Sequence, residues 1–200
     1  MKKRTWKIAG INFDHFHIGD LLRYAHEHPQ AEIVGISDEN PARMEEAIRK
    51  GLVSRNCAFT DYRQCLETTR PDVVILCPAA SKHGEWVKKV APFGPHLMVE
   101  KPFAASLKEA DAMVASMAPA QTLMINWPLQ WVGSHRKAHE LVSKGAIGDV
   151  LNVWHIGGNR GPLFHGADKD EKTPAQVALN WVTTRPGVTS TIIGATIPIL

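Results

Sequence analysis

"IAGINFDHFHIGDLL", residues 8–22, reads as a strand that stops, turns and becomes a helix. Its first residues are apolar without alternation, the pattern of a strand covered on both faces. From His17 onward, Ile18, Leu21, Leu22 and Ala25 recur at helical spacing. A strand entering a helix through a glycine-bearing turn can aim backbone N–H groups and the positive helix end at a phosphate. Gly10 is placed to supply the tight turn, but Asn12 and His15 stand where further glycines would let a pyrophosphate approach, and Gly19 comes too late. On these residues a dinucleotide loop and a plain strand–helix turn are equally open.

The same rhythm repeats outward. "AEIVGISD" (31–38) is a second apolar strand, and "NPARMEEAIRKG" (40–51) has Asn40 as N-cap, Pro41 at the first helical position and Gly51 as a stop. "PDVVILCP" (71–78), "PHLMVE" (95–100) and "QTLMIN" (121–126) are further strands. Between them lie "SKHGEWVKKVAPFG" (81–94) and "SLKEADAMVASM" (106–117), the latter with Ser106 and Glu109 at capping-box spacing. Continuously apolar strands alternating with helices predict an α/β fold, a Rossmann-type doubly wound parallel sheet. After residue 126 the rhythm changes. "GSHRKAHELVSKGAIGDV" (133–150) predicts a helix ending near Gly145, and "LNVWHIGG" (151–158) opens a strand without evident partners.

Composition narrows the function classes. With 44% hydrophobic and 22% charged residues the chain reads as globular, and a net charge of +3 without a basic stripe argues against nucleic acid as a partner. Cys57, Cys65 and Cys77 form no C-x-x-C pair, so neither a disulfide framework nor a zinc ribbon is expected, and a cytoplasmic location fits. No stretch approaches the ~18 apolar residues of a membrane span. The opening apolar run is interrupted by Asn12, Asp14 and His15 before a secretory core forms.

In an open parallel sheet the ligand crevice lies at the carboxyl ends of the strands. Asp38 closes the second strand, somewhat further along than the ~20 residues usual for a ribose-binding acid. It favours NAD over NADP, although an acid starting the next helix is the competing reading. His83 either faces a nicotinamide or lies exposed on a helix's first turn. His15 and His17 could share a metal only on a strand or extended loop and with a third ligand, for which Asp14 is the nearby candidate; polar loop or capping roles are preferred, and no metal is expected. In "VEKPF" (99–103), Lys101 sits at a strand's carboxyl end between Glu100 and Pro102, where partial burial would suit proton transfer to an alcohol or carbonyl oxygen; an exposed turn lysine is the alternative.

"WKIAGI", "IVGISDENP", "PDVVILCPAASKHGEWV", "HLMVEKPFAASLKEADAMV" and "GAIGDVLNVWHI", in this order within residues 5–170, resemble the Gfo/Idh/MocA family of glucose-fructose oxidoreductases and inositol dehydrogenases, with "EKP" as its hallmark. The resemblance implies an N-terminal Rossmann domain binding NAD or NADP, a second α/β domain with an open antiparallel sheet, and hydride exchange with a sugar or polyol carbon. It implies that Lys101 binds the substrate oxygen and assists its proton transfer, and that Asp38 binds ribose. The expected cofactor-binding set is Gly10, Asn12, Phe13, Asp38, Pro78, His83, Glu100 and Pro102; Lys101 and Asn126 are expected at the substrate.

The chain departs from that family in "GINFDH", which replaces the usual glycine pattern, and after about residue 165, where the substrate-bearing sheet is not found. "TPAQVALNWVTTRPGVTSTIIGAT" (173–196) instead resembles the closing helix and strand of aldo-keto reductases, without the length a (β/α)8 barrel needs. An amphipathic helix with Val177, Trp181 and Val182 on its packing side is the preferred reading there, and the join near Lys172 reads as a spliced or frameshifted gene or an engineered hybrid, alternatives the sequence leaves open. The expected organisation is a dinucleotide-binding domain over 1–125, the start of a truncated substrate domain over 126–171, and an aldo-keto reductase-like helix and strand over 172–200. The alternative to an oxidoreductase is a non-catalytic dinucleotide-binding remnant, or a domain that self-associates through the unpaired edge near "VLNVWHI".

Overall fold

The computed structural model describes residues 4–153 of the chain. The chain divides into two units, Met1–Ala146 and Ile147–Leu200; all elements below belong to the first. Six strands, β1 (Trp6–Ile11), β2 (Ala31–Ser37), β3 (Ala58–Phe59), β4 (Val73–Leu76), β5 (His96–Glu100) and β6 (Leu123–Asn126), form one sheet in the order β3-β2-β1-β4-β5-β6. Every neighbouring pair is parallel. This is the doubly wound order whose direction reverses between β1 and β4.

Each parallel connection needs a crossover, and helices supply it: α1 (His17–Glu27), α2 (Glu45–Arg49), α3 (Tyr62–Thr69), α4 (His83–Val90) and α5 (Leu107–Ala115), with α6 (Gly133–Ser143) following β6. Two cores result. On one face Ala9, Ile11, Val74, Leu76, Leu97 and Val99 pack against Leu66 of α3, Trp86 and Val87 of α4 and Met113 of α5. On the other, Ile8, Ile36 and Ile75 pack against Ile18 and Leu22 of α1 and Ala47 of α2. Strands with both faces covered must be apolar at successive positions, which is why they read as unbroken runs.

Helix punctuation follows the sequence in most places. The Asn40 side chain accepts from Ala42 N, although the helix expected after it is a 3-10 turn (Pro41–Arg43) followed by the short α2. Gly51 lies at φ +69° and ends it. Ser106 accepts from Glu109 N, and Gly145, at φ +65°, follows α6. β3 and α3 have no counterpart among the expected elements. Asp61 caps α3 through Arg63 N.

Two expectations are corrected. Gly10 does not make the turn: it is the fifth of the six residues of β1, and a Cβ there would stand 3.0 Å from Leu22 Cδ2 and 3.4 Å from Ile18 Cδ1. Its function is to let α1 lie close on the strand. Residues 151–153, the described part of the strand expected at 151–158, carry no regular structure. The remainder of that strand, the aldo-keto reductase-like segment and the part of the expected self-associating edge beyond residue 153 lie outside the described residues.

Candidate active site

The carboxyl ends of β1, β2, β4, β5 and β6 gather the polar residues buried in this unit: Asn12, Ser37, Asp38, His83, Glu100 and Asn126 are all 9% exposed or less. The turn after β1 is made by Asn12, at φ +64°, a region open to glycine and tolerated by asparagine. Its N–H donates to Ser37 O (2.8 Å), Phe13 N to Asp38 Oδ2 (2.7 Å), Asp14 N to Asn12 Oδ1 (2.9 Å), and His15 N to Cys77 O (3.0 Å). The Asn12 side-chain oxygen thus takes from Asp14 N the kind of hydrogen bond a phosphate oxygen would take. A pyrophosphate could occupy this turn by displacing one local acceptor, with the glycine-like backbone already in place.

Asp38 is 5% exposed and accepts from two backbone amides, Phe13 N and Asn40 N (2.8 Å). A carboxylate offers about four lone-pair sites, so two stay available for hydroxyls. Arg43 Nη1 lies 3.6 Å from Asp38 Oδ2 and pairs with Asp14, whose other oxygen accepts from Ala79 N (3.2 Å). Sequence reasoning missed Arg43. Its position, five residues beyond the strand-end acid, is the one available signal. These residues border a polar cleft of 610 Å³ that reaches across to Asp61, Arg63, Lys82 and Lys89.

At the end of β5 the Glu100 carboxylate, with no side-chain exposure, accepts from Asn126 Nδ2 at Oε2 (2.8 Å) and meets His17 Nδ1 at Oε1 (2.9 Å). Lys101 Nζ lies 3.9 Å from the same Oε1, and its side chain is 24% exposed. Lys101 is therefore not a freely solvated turn lysine. The Lys101–Pro102 peptide is cis, and Pro102 itself is exposed. His15 and His17 do approach a third ligand, but it is Glu100 and not Asp14: ligand atoms of His15, His17 and Glu100 lie within 4.8 Å of one another, while Asp14 is turned to Arg43 and Ala79.

Pro78 is buried beside the β4 end. His83, the first residue of α4, is 1% exposed, so it does not lie exposed on that first turn; among the described residues its Nδ1 has no hydrogen-bond partner. A buried imidazole nitrogen without a partner costs free energy unless something fills the role. Two of the three cysteines, Cys65 and Cys77, are buried. Burial pushes the Cys65 thiol up to about 12, and pushes Cys77 higher still with help from the Glu100 charge.

The family model "Oxidoreductase family, NAD-binding Rossmann fold" matches residues 6–126. Glycosyl hydrolase family 109 protein 1 of Akkermansia muciniphila is 31% identical over 129 residues, which is 60% of this chain and 27% of that protein. Apo scyllo-inositol dehydrogenase of Lactobacillus casei superposes with a TM-score of 0.64 at 20% identity, covering 74% of this chain and 44% of the other. A 3-ketoreductase of Actinomadura kijaniata in complex with NADP gives 0.62 at 20% identity over 73% and 46%. The two structural likenesses concern the fold. In each of these matches the chain spans less than half of the other protein.

Proposed function

The chain belongs to the Gfo/Idh/MocA oxidoreductase family, whose NAD-binding Rossmann fold its residues 6–126 match, and on that premise we propose that it is an NAD(P)-dependent oxidoreductase acting at a carbinol carbon of a sugar or polyol. The observation that carries this reading is the convergence of the Asn12 turn, Asp38 and Lys101 on one sheet edge, at the reversal of strand order.

In this reading the two unused lone-pair sites of Asp38 receive adenosine ribose hydroxyls, which favours NAD, since a 2′-phosphate would meet a buried carboxylate. The turn through Asn12 and Phe13 faces the pyrophosphate and offers it the Asp14 amide that Asn12 Oδ1 now holds, while Gly10 keeps α1 close behind the turn. Pro78, His83, Glu100 and Pro102 border the nicotinamide end, where the His83 Nδ1 gains the partner it lacks. The bound nicotinamide would supply the hydride acceptor. Lys101 would hold the substrate oxygen and take or return its proton, with Glu100 balancing the ammonium charge and Asn126 fixing Glu100. The free thiols of Cys57, Cys65 and Cys77 agree with a reducing compartment, and a cytoplasmic location is proposed.

The test is a thermal melt of the full chain with and without NADH or NADPH, followed by polyol oxidation by the chain and by Lys101→Met. Saturation to about 100 times the dissociation constant stabilises by about 2.7 kcal/mol, several degrees for a domain of this size. The expected result is a rise with NADH larger than with NADPH, and turnover lost in Lys101→Met with the NADH shift retained. A melt indifferent to both nucleotides overturns the reading; a shift without turnover of any polyol supports dinucleotide binding alone.

A further inference from the structure

We propose that His15, His17 and Glu100 form a binding site for a divalent cation of the zinc type. Two imidazoles and one carboxylate are a donor set that zinc accepts readily, leaving a fourth position open. Three observations support it. The ligand atoms already lie within 4.8 Å of one another. The 2.9 Å between His17 Nδ1 and Glu100 Oε1 is close to the ~3.3 Å edge that bonds of about 2.0–2.1 Å make around a tetrahedral ion, so only His15, on the turn before α1, has to close in. The outer support is also present: Asn126 Nδ2 donates to Glu100 Oε2 at 2.8 Å and leaves Oε1 directed at the histidines.

The cation would bond His17 Nδ1 and Glu100 Oε1 in place of the contact these two atoms make with each other. It also competes with Lys101, whose ammonium lies 3.9 Å from the same Oε1. Cation occupancy and a charged Lys101 oppose each other by ordinary Coulomb repulsion. This gives the site a signature that casual chelation on the surface lacks. The inference is separable from the dinucleotide reading, because uptake is measured without nucleotide.

The experiment loads metal-free full-length chain with Zn2+, measures bound zinc by elemental analysis and affinity by calorimetry, and repeats the titration with Co2+ for its ligand-field spectrum. The expected result is one equivalent of zinc, a tetrahedral cobalt spectrum, affinity lowered at least tenfold by His15→Ala and by His17→Ala, and affinity raised about tenfold by Lys101→Met. Glu100→Gln should act like the histidine variants. Because Glu100 is buried, its folding is checked by circular dichroism, and the half-buried His15 provides the variant that does not depend on it. His135 and His139, at i, i+4 on α6, are the rival surface pair. Zinc uptake that survives His15→Ala and His17→Ala, or that disappears in His135→Ala/His139→Ala, overturns the proposal. So does the absence of stoichiometric uptake.

Discussion

Asn12 occupies a backbone conformation that penalises most L residues, and its short polar side chain offsets that penalty by accepting from Asp14 N two residues on. The same bond closes the turn to an incoming anion. Two substitutions separate these roles. Asn12→Gly keeps φ positive without strain and frees the Asp14 amide, so NADH should bind several-fold more tightly, while the unliganded melting temperature shifts by no more than a few degrees. Asn12→Val places a β-branched residue at φ +64° and should cost about 1–3 kcal/mol with or without ligand. Fluorescence titration with NADH and paired melts measure both. Equal NADH affinity in Asn12→Gly and the parent would show that this turn does not touch the pyrophosphate.

Helices α4 and α5 are joined by one carboxylate. Glu109 has the capping-box spacing to Ser106, and Ser106 Oγ accepts from Glu109 N (3.2 Å), as the spacing implies. The return bond goes elsewhere: Glu109 accepts from Ala105 N (2.8 Å) and from Gly84 N (3.2 Å), in the first turn of α4. A Cβ at residue 84 would lie 2.5 Å from Glu109 Oε1 and 2.7 Å from its Cγ, so the carboxylate fits only because residue 84 is glycine. Gly84→Ala should therefore lower stability by about 1–2 kcal/mol despite the helix preference for alanine, and Glu109→Ala should approach the same loss; in the double variant the two costs should not add. Additive losses in denaturant melts would contradict the shared contact. Periodicity and caps exposed α1, α4 and α5 because each buries apolar residues on one side, whereas α6, legible from its helical spacing and Gly145, buries none of its residues. β3 escaped notice because two residues carry no period, and it exists through its pairing of Ala58 and Phe59 with Ile36 and Ser37 of β2. The strand-end rule placed Asp38, Glu100, Lys101 and Asn126 at the crevice. What it could not show was His17 meeting Glu100 across 83 residues, a contact set by the order of strands and not by any local pattern.

Across the whole sheet the two edges divide their duties. The carboxyl edge concentrates buried polar groups that chemistry can use; the amino edge is closed by Asp72, at the entry to β4. Its carboxylate accepts from Lys7 N (2.9 Å) and from Arg4 Nη2 (2.7 Å), its N–H donates to Lys7 O (2.9 Å), and its carbonyl accepts from His96 N (2.9 Å). One residue thus links the starts of β1, β4 and β5. The Lys7 amide, with Arg4 in addition, holds the Asp72 carboxyl below its ordinary value against a partial burial that would raise it. A depressed folded value adds stability that is present above the ordinary value of about 4 and is lost as the pH falls through the lower folded value. Arg4 is largely exposed, so its ion pair adds little and the amide bond carries most of the effect. Asp72→Asn should destabilise the unit by about 1 kcal/mol at pH 7, and the gap between parent and variant should narrow steadily below about pH 4. Because residue 72 sits at the opposite end of the strands from Asn12, Asp38 and Lys101, the dissociation constant for NADH should stay the same at pH 7. Denaturant melts at several pH values, with an NADH titration alongside, measure both quantities. A gap that persists at pH 2 would assign the loss to packing and not to the carboxylate's charge, and a changed NADH affinity would mean that the two edges of the sheet are not independent.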